Sequence, residues 1–253
     1  MSTHLIIPDP HAHPDYNNDR FSWLGELVAD IVPDYVVCIG DWPDMPSLCS
    51  YDKGTKGFEG RRYNKDVDAS CHAQDLFFKP IKRKKKKLPK FIMLEGNHDH
   101  RIPRAIDNDA AHLDGIISLD DLQFKEYGWE YIRYRGSSPA IVSVDGVNYS
   151  HYFPSGVMGR PIGGERPALM LLNKHHLSCT QGHIHVTDYC VRTNAYGKHI
   201  QGILVGCYMD YDADFAGLAN DIWWRGVIIK RNVSNGQYDP QWISMDAIRK
   251  EYK

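Results

Sequence analysis

The stretch "FIMLEGNHDHRI", residues 91–102, carries an apolar run straight into an amide, two imidazoles, carboxylates and a guanidinium. Other apolar runs in the chain stop in the same way. One ends in Asp9-Pro10-His11 and another in Gly40-Asp41-Trp42-Pro43-Asp44. Later runs end in Ser150-His151 and in Gly182-His183-Ile184-His185. Carboxylate, amide oxygen and imidazole donors suit Mn, Fe, Zn or similar ions rather than calcium alone. Histidine and aspartate are also the usual proton-transfer pair near neutral pH. Taken singly, each motif is ordinary: Asp-x-His arises by chance and Gly-Asp is a common turn. The ordered series carries the information, because every member follows an apolar run.

Those runs read as strands. "HLIIPD" (4–9), the β-branched "YVVCIGD" (35–41) and "KFIMLEGN" (90–97) are short buried strands by pattern. Between them, residues 19–32 place Phe21, Leu24, Leu27, Val28 and Ile31 at helical spacing, stopped by Pro33. Residues 45–60 read as a loop with Gly54, Gly57 and Gly60. Residues 61–81 read as a helix with Val67, Cys71 and Leu76 inward. Alternating strands and helices predict a largely parallel sheet covered by helices, with ligands beyond the carboxyl ends of the strands. The second half predicts a hairpin over 140–153 around Asp145-Gly146, a helix over 166–176, and strands over 177–186, 199–207 and 223–243, the last turning at Asn235-Gly236. No repeat or linker divides the chain, which predicts one domain over 1–253, with 45–88 as a cap-like insertion.

Composition narrows the class. The 253 residues are 42% hydrophobic and 25% charged, with a net charge of −2, ordinary values for a soluble globular protein. No apolar run reaches the ~20 residues that span a bilayer, so no membrane association is expected. The start "MSTHLIIPDPHAH" has neither a basic leader nor a signal-type apolar core, and the expected location is cytoplasmic. The six cysteines are scattered without a Cys-x-x-Cys pair and read as free thiols. Of the 13 histidines, His4, His72, His112 and His199 read as surface or internally satisfied groups. "KRKKKK" (82–87) is a basic run that reads first as a solvated helix end and second as a phosphate-backbone contact.

The series D-x-H, G-D-x-x-D, G-N-H-D, H, G-H-x-H over residues 5–185 resembles the calcineurin-like metallophosphoesterase superfamily. The resemblance implies an α/β fold, a four-layer α/β/β/α sandwich of two mixed sheets with its active site at strand C-terminal ends. It implies two divalent ions, Mn2+ first, with Fe, Zn, Ni or Co as alternatives. Asp9, His11 and His185 would hold one ion and Asn97, His151 and His183 the other, with Asp41 bridging. A hydroxide shared by two ions ~3.5–4 Å apart would attack a phosphate mono- or diester in line. His98 would be the general acid, backed by Asp44. The plainer readings are Asp44 as a turn residue, His98 as a further ligand, and Asp99 as a helix N-cap for 100–107, the last being preferred. Arg101 reads equally as a phosphate clamp or a surface residue. His13 has no motif role.

This sequence departs from the serine/threonine protein phosphatases of the superfamily. Met45-Pro46 stands where they carry Arg-Gly, Asp99 where they carry Glu, and "SHYF" where they carry His-Gly. The leading expectation is a phosphatase or phosphodiesterase acting on a phosphate ester. A nuclease using 82–87, with nucleic acid as partner, is the alternative, and a metal-binding module without chemistry is a third. The natural substrate and the oligomeric state are not written in the motifs. The Gly-rich stretch 151–164 is expected to line the cleft.

Overall fold

The computed structural model describes residues 1–84 and 86–253, and of Phe215 the backbone alone. The chain begins with β1 (Ser2–Ile7), α1 (Arg20–Ile31), β2 (Tyr35–Cys38), α2 (Tyr63–Arg83) and β3 (Lys90–Leu94). Three short helices, α3 (Arg101–Asn108), α4 (Ala110–Leu113) and α5 (Phe124–Tyr127), lead to β4 (Glu130–Ile132). The hairpin β5 (Val142–Val144) and β6 (Val147–Ser150) precedes a small two-stranded ribbon, β7 (Pro154–Ser155) and β8 (Arg160–Pro161). Then come α6 (Pro167–His175), β9 (Cys179–Gln181), β10 (Thr187–Thr193) and β11 (His199–Val205). The hairpin β12 (Gly226–Ser234) and β13 (Gln237–Ser244) and the helix α7 (Met245–Tyr252) complete the chain.

Two mixed sheets face each other. The six-stranded sheet runs β13-β12-β1-β2-β3-β4, parallel from β1 to β4. The five-stranded sheet runs β10-β11-β9-β6-β5, with β11, β9 and β6 parallel. Alternation along the strands sorts their side chains into layers. Leu5, Ile7, Val36, Cys38 and Met93 pack on Phe21, Leu24, Phe77 and Met245 of the outer helices. Their neighbours Ile6, Val37, Ile92 and Ile228 point the other way, onto Val147, Tyr149 and Ile203 of the second sheet. Leu204 and Cys179 then meet Ala168 and Leu171 of α6. With both faces covered, β1 to β3 have to read as continuous apolar runs rather than alternating ones. Each such aliphatic side chain contributes about 1.5–3 kcal/mol on burial. This is the four-layer sandwich that the resemblance implies.

Several local expectations differ from the structure. Strands end earlier: β2 stops at Cys38, β3 at Leu94 and β9 at Gln181, leaving every candidate ligand in a loop. In α2 the buried stripe is Ala73, Phe77, Phe78 and Ile81, while Val67, Cys71 and Leu76 are half-buried. The aromatic pair wins that face because Phe77 stacks on Trp129 at 5.7 Å. β4, β10 and α7 had no sequence signal. β10 is an edge strand of mostly half-exposed polar residues, so no apolar run marks it. The turns at Asp145-Gly146 and Asn235-Gly236 form where expected, each with positive φ at both residues. His4 is fully buried and satisfied by Tyr149 and Asp145, whereas His72, His112 and His199 are exposed. All six cysteines are free. Among the described residues, no helix is long and apolar enough to cross a membrane.

Candidate metal centre

The loops after β1, β2, β3, β6 and β9 leave the same edge of the sandwich and converge. They can do so only by turning sharply. Asp9, His11, Asp41, His183 and His185 all have positive φ, between 36° and 69°. A non-glycine residue held there costs on the order of 1 kcal/mol or more, and such strain clusters at functional sites. Close backbone approach completes the turns. A Cβ on Gly96 would strike the Asp41 backbone and carboxylate, and one on Gly182 would strike the Asp9 carboxylate. The Asp99 carboxylate pins the two loops, accepting from the N–H of Asp41 at 2.8 Å and of Gly96 at 2.6 Å. It is fully buried, and α3 has no side-chain N-cap. The helix-cap expectation for Asp99 is therefore wrong: a carboxylate that caps a loop instead of a helix looks the same in sequence.

Asp9, His11 and His185 offer donor atoms within 4.8 Å of one another, and so do Asp41, His151 and His183. In the first group, Nε2 of His11 and of His185 face each other at 3.4 Å. His11 Nδ1 donates to Asp44 Oδ1 at 3.0 Å, which leaves its Nε2 as a lone pair aimed into that gap. Asp9 Oδ2 accepts from the His183 N–H at 2.9 Å, while its Oδ1 is buried with no hydrogen-bond partner. In the second group, His151 donates from Nδ1 to the Ile39 carbonyl at 3.1 Å, freeing Nε2. That nitrogen lies 2.8 Å from Asn97 Oδ1, and His183 Nδ1 lies 2.7 Å from the same oxygen. Between the groups stands Asp41 Oδ2, 3.8 Å from His11 Nε2 and 3.4 Å from His151 Nε2. Its Oδ1 accepts from the His98 N–H at 2.7 Å.

The electrostatics agree with a site built around positive charge. Burial, then the neighbouring Asp41, pushes the Asp9 carboxyl well above its ordinary range. Burial also pushes His11, His151 and His185 down, and takes His183 down to about 3. Burial alone would raise Asp41, but His151, His98 and His11 outweigh it and hold that carboxyl low. Neutral imidazoles and closely spaced buried carboxylates are the ligand forms that divalent ions require. An orphaned carboxylate oxygen beside converging lone pairs is an acceptor set that lacks only a cation, so the residues fit two ions.

The family model for calcineurin-like phosphoesterases matches residues 3–238. The chain belongs to the calcineurin-like phosphoesterase family. Its fold, its converged donors and its membership together make it a metal-dependent hydrolase of phosphoesters. No curated protein matches the sequence. One solved crystal structure aligns with 96% of this chain and 99% of its own length, at 11% identity and a TM-score of 0.38.

The surroundings of Asp44 in this phosphoesterase are equally organised. His98 Nδ1 lies 2.7 Å from the Asp44 carbonyl oxygen and 2.8 Å from Asp44 Oδ1, which is also 3.0 Å from His11 Nδ1, and Asp44 Oδ2 lies 3.4 Å from His13 Nε2. Burial opposes ionisation of Asp44, yet the hydrogen bonds from His11 and His98 hold it well below the usual carboxylate range. His98 also groups with His11 and Asp41 as a possible ligand set. Arg101 donates from Nη1 to the Asp44 and Met45 carbonyls at 2.8 and 3.1 Å, and its Nη2 lies 3.2 Å from His98 Nε2. A cleft of about 820 Å3 opens beside this group, with Asp44, Arg101 and His13 in its wall.

Some participants had no motif. Arg20 is fully buried on α1 and donates to the Pro10 and His11 carbonyls, both at 2.8 Å, and to the Tyr208 carbonyl at 3.2 Å. It shares the helical spacing of Leu24 and Leu27, an inward-facing charge that the periodicity alone could have flagged. The Tyr211 hydroxyl donates to the His11 carbonyl at 3.0 Å, and the Trp223 and His185 rings meet nearly perpendicular with centroids 4.3 Å apart. The Gly-rich stretch contributes the β7–β8 ribbon, whose tip exposes Val157 and Met158.

Proposed function

We propose that this phosphoesterase hydrolyses a phosphate mono- or diester with His98 as the proton donor to the leaving oxygen. What carries the reading is the Asp44–His98 pair standing beside the converged donors of Asp9, His11, His185, Asn97, His151, His183 and Asp41. Two divalent ions, Mn2+ by the hardness of an oxygen-and-imidazole set, would supply Lewis-acid charge and a water acidic enough to attack at neutral pH. The remaining work falls to the chain. Asp41 divides its contacts between the two ligand groups. Asp44 fixes the ring planes of His11 and His98 through their Nδ1 protons, with its carboxylate and, for His98, also its main-chain carbonyl. An arginine N–H can only donate, so in the present arrangement His98 Nε2 accepts from Arg101. A substrate phosphate oxygen would draw the Arg101 guanidinium to itself and free Nε2 to carry the proton. Residues 45–62 form the cleft-side part of the 45–88 stretch and act as the cap, since α2 packs on α1 within the helical layer.

The test is turnover of p-nitrophenyl phosphate and bis-p-nitrophenyl phosphate with Mn2+ added. Absence of turnover for both, across divalent metals, overturns the proposal. The nuclease alternative gains nothing from the geometry. Lys85 lies outside the described residues. Of the rest of the basic run, Arg83 pairs with Glu26 at 2.5 Å, Lys84 with Asp30, and Lys87 with Asp34 at 3.6 Å. Glu26 and Asp30 lie on α1, and Asp34 stands just before β2, at the opposite end of that strand from the candidate centre.

A further inference from the structure

With His98 as proton donor, the leaving group must lie on the His98 side of the centre, where the 820 Å3 cleft opens. The far wall of that cleft is aromatic. Tyr16 and Tyr211 stack with centroids 3.9 Å apart and planes 9° from parallel. The buried Arg20 covers Tyr211 at 5.3 Å, and a stack this close leaves it only the face away from Tyr16. Together with the Tyr211 hydroxyl bond to the His11 carbonyl, this ties the stack to the ligand loop. The His13 ring lies 4.8 Å from Tyr16 and 6.1 Å from Tyr211. With the stacking distance, these separations make a nearly right angle at Tyr16. His13 therefore stands at the edge of the Tyr16 ring, and among the described residues no other ring lies over the outer face of Tyr16, which lines the cleft.

The charges around that face are acidic. Asp15, Glu59 and Asp214 are exposed in the cleft wall and make no ion pair among the described residues. The arginines are engaged: Arg61 with Asp52 at 2.6 Å and the Pro46 carbonyl at 3.1 Å, and Arg101 with backbone carbonyls. After burial, Asp214 and Asp15 are the groups that most raise the Tyr16 hydroxyl pKa, so their field reaches the ring. An open aromatic face rimmed by free carboxylates attracts an organic cation. It repels a second phosphate or a polynucleotide, and a neutral base would use the ring but not the carboxylates.

Resting on the phosphoesterase reading, we infer that the Tyr16 cleft binds the leaving group, and that this group is a small alcohol carrying an organic ammonium, of choline or ethanolamine size. The experiment compares phosphocholine with 3,3-dimethylbutyl phosphate, the same shape with carbon in place of the charged nitrogen, on the metal-loaded full chain. The expected kcat/KM ratio is about tenfold or more in favour of phosphocholine. Tyr16→Ala and Asp214→Asn should each bring that ratio toward one, and Tyr16→Phe should keep it. Equal values for the two esters, or adenosine 5′-monophosphate ahead of both, overturn the inference. p-Nitrophenyl phosphate, run alongside, reports on the phosphoesterase reading alone. If no ester turns over, calorimetric titration with choline and with 3,3-dimethylbutan-1-ol still decides the cleft, and no preference for choline sinks the assignment.

Discussion

Asp44 serves two histidines with one carboxylate oxygen: His11, whose other nitrogen faces the first ligand group, and His98, whose other nitrogen faces Arg101. Replacing it should therefore damage both metal retention and proton transfer. Asp44→Asn is expected to lower kcat about 100-fold and to lower metal content, read by steady-state kinetics and elemental analysis on the same sample. His98→Ala separates the two effects. Without a proton donor, esters of basic alcohols suffer most, while p-nitrophenolate leaves unaided. The variant should lose about 100-fold or more with an alkyl phosphate and far less with p-nitrophenyl phosphate. Equal losses for both would assign His98 to the metal rather than to the leaving oxygen.

At the level of elements, the centre depends on loops that could not close with side chains at two positions. Gly96 lies against Asp41, and Gly182 against Asp9. Gly96→Ala should push the β3 loop off Asp41, reducing bound metal and lowering the Tm of the metal-loaded protein. A variant with normal metal content would refute the close-approach account. Asp99 closes the same pair of loops through buried hydrogen bonds to two N–H groups. Asp99→Ala leaves both donors unpaired, at a cost of about 1–3 kcal/mol each, so denaturant unfolding should show a loss of several kcal/mol. Had Asp99 been a helix cap, the loss would stay nearer 1 kcal/mol.

On the scale of the molecule, the two sheets bury a set of neutral histidines at one edge, and this makes stability depend on pH. Burial takes His183 down to about 3 from an ordinary value of 6.5, and pushes His11, His151 and His185 down as well. Between those limits the unfolded chain binds protons that the folded chain refuses. The contribution of these groups is therefore complete above pH 6.5 and is lost as the pH falls toward 3. For chelator-treated protein, the Tm should fall between pH 7.5 and pH 5, and the fall should shrink in His183→Asn. An equal fall in the parent protein and in His183→Asn would mean that this imidazole is not held neutral by the fold. Metal binds only the folded centre, so adding Mn2+ should raise the Tm at pH 7.5.

What the sequence determined by itself was the chemistry and its order. Asp9, His11, Asp41, Asn97, His98, His151, His183 and His185 each follow an apolar run, and a strand buried on both faces has to be such a run. The parallel sheet covered by helices was legible for the same reason, whereas the second sheet facing it followed only from the family resemblance. The Asp145-Gly146 and Asn235-Gly236 turns were legible because local backbone preference dictates them. Tertiary structure decided everything that depends on distance across the chain. It brought Asp44 to His11 as well as His98, gave Asp99 to the loops instead of the helix, buried Arg20 beneath the ligand carbonyls, and set Tyr16 on Tyr211. A carboxylate or an aromatic ring carries no mark of its partner along the chain. Its role is fixed by whichever loops the packed sheets bring within about 3–4 Å of it.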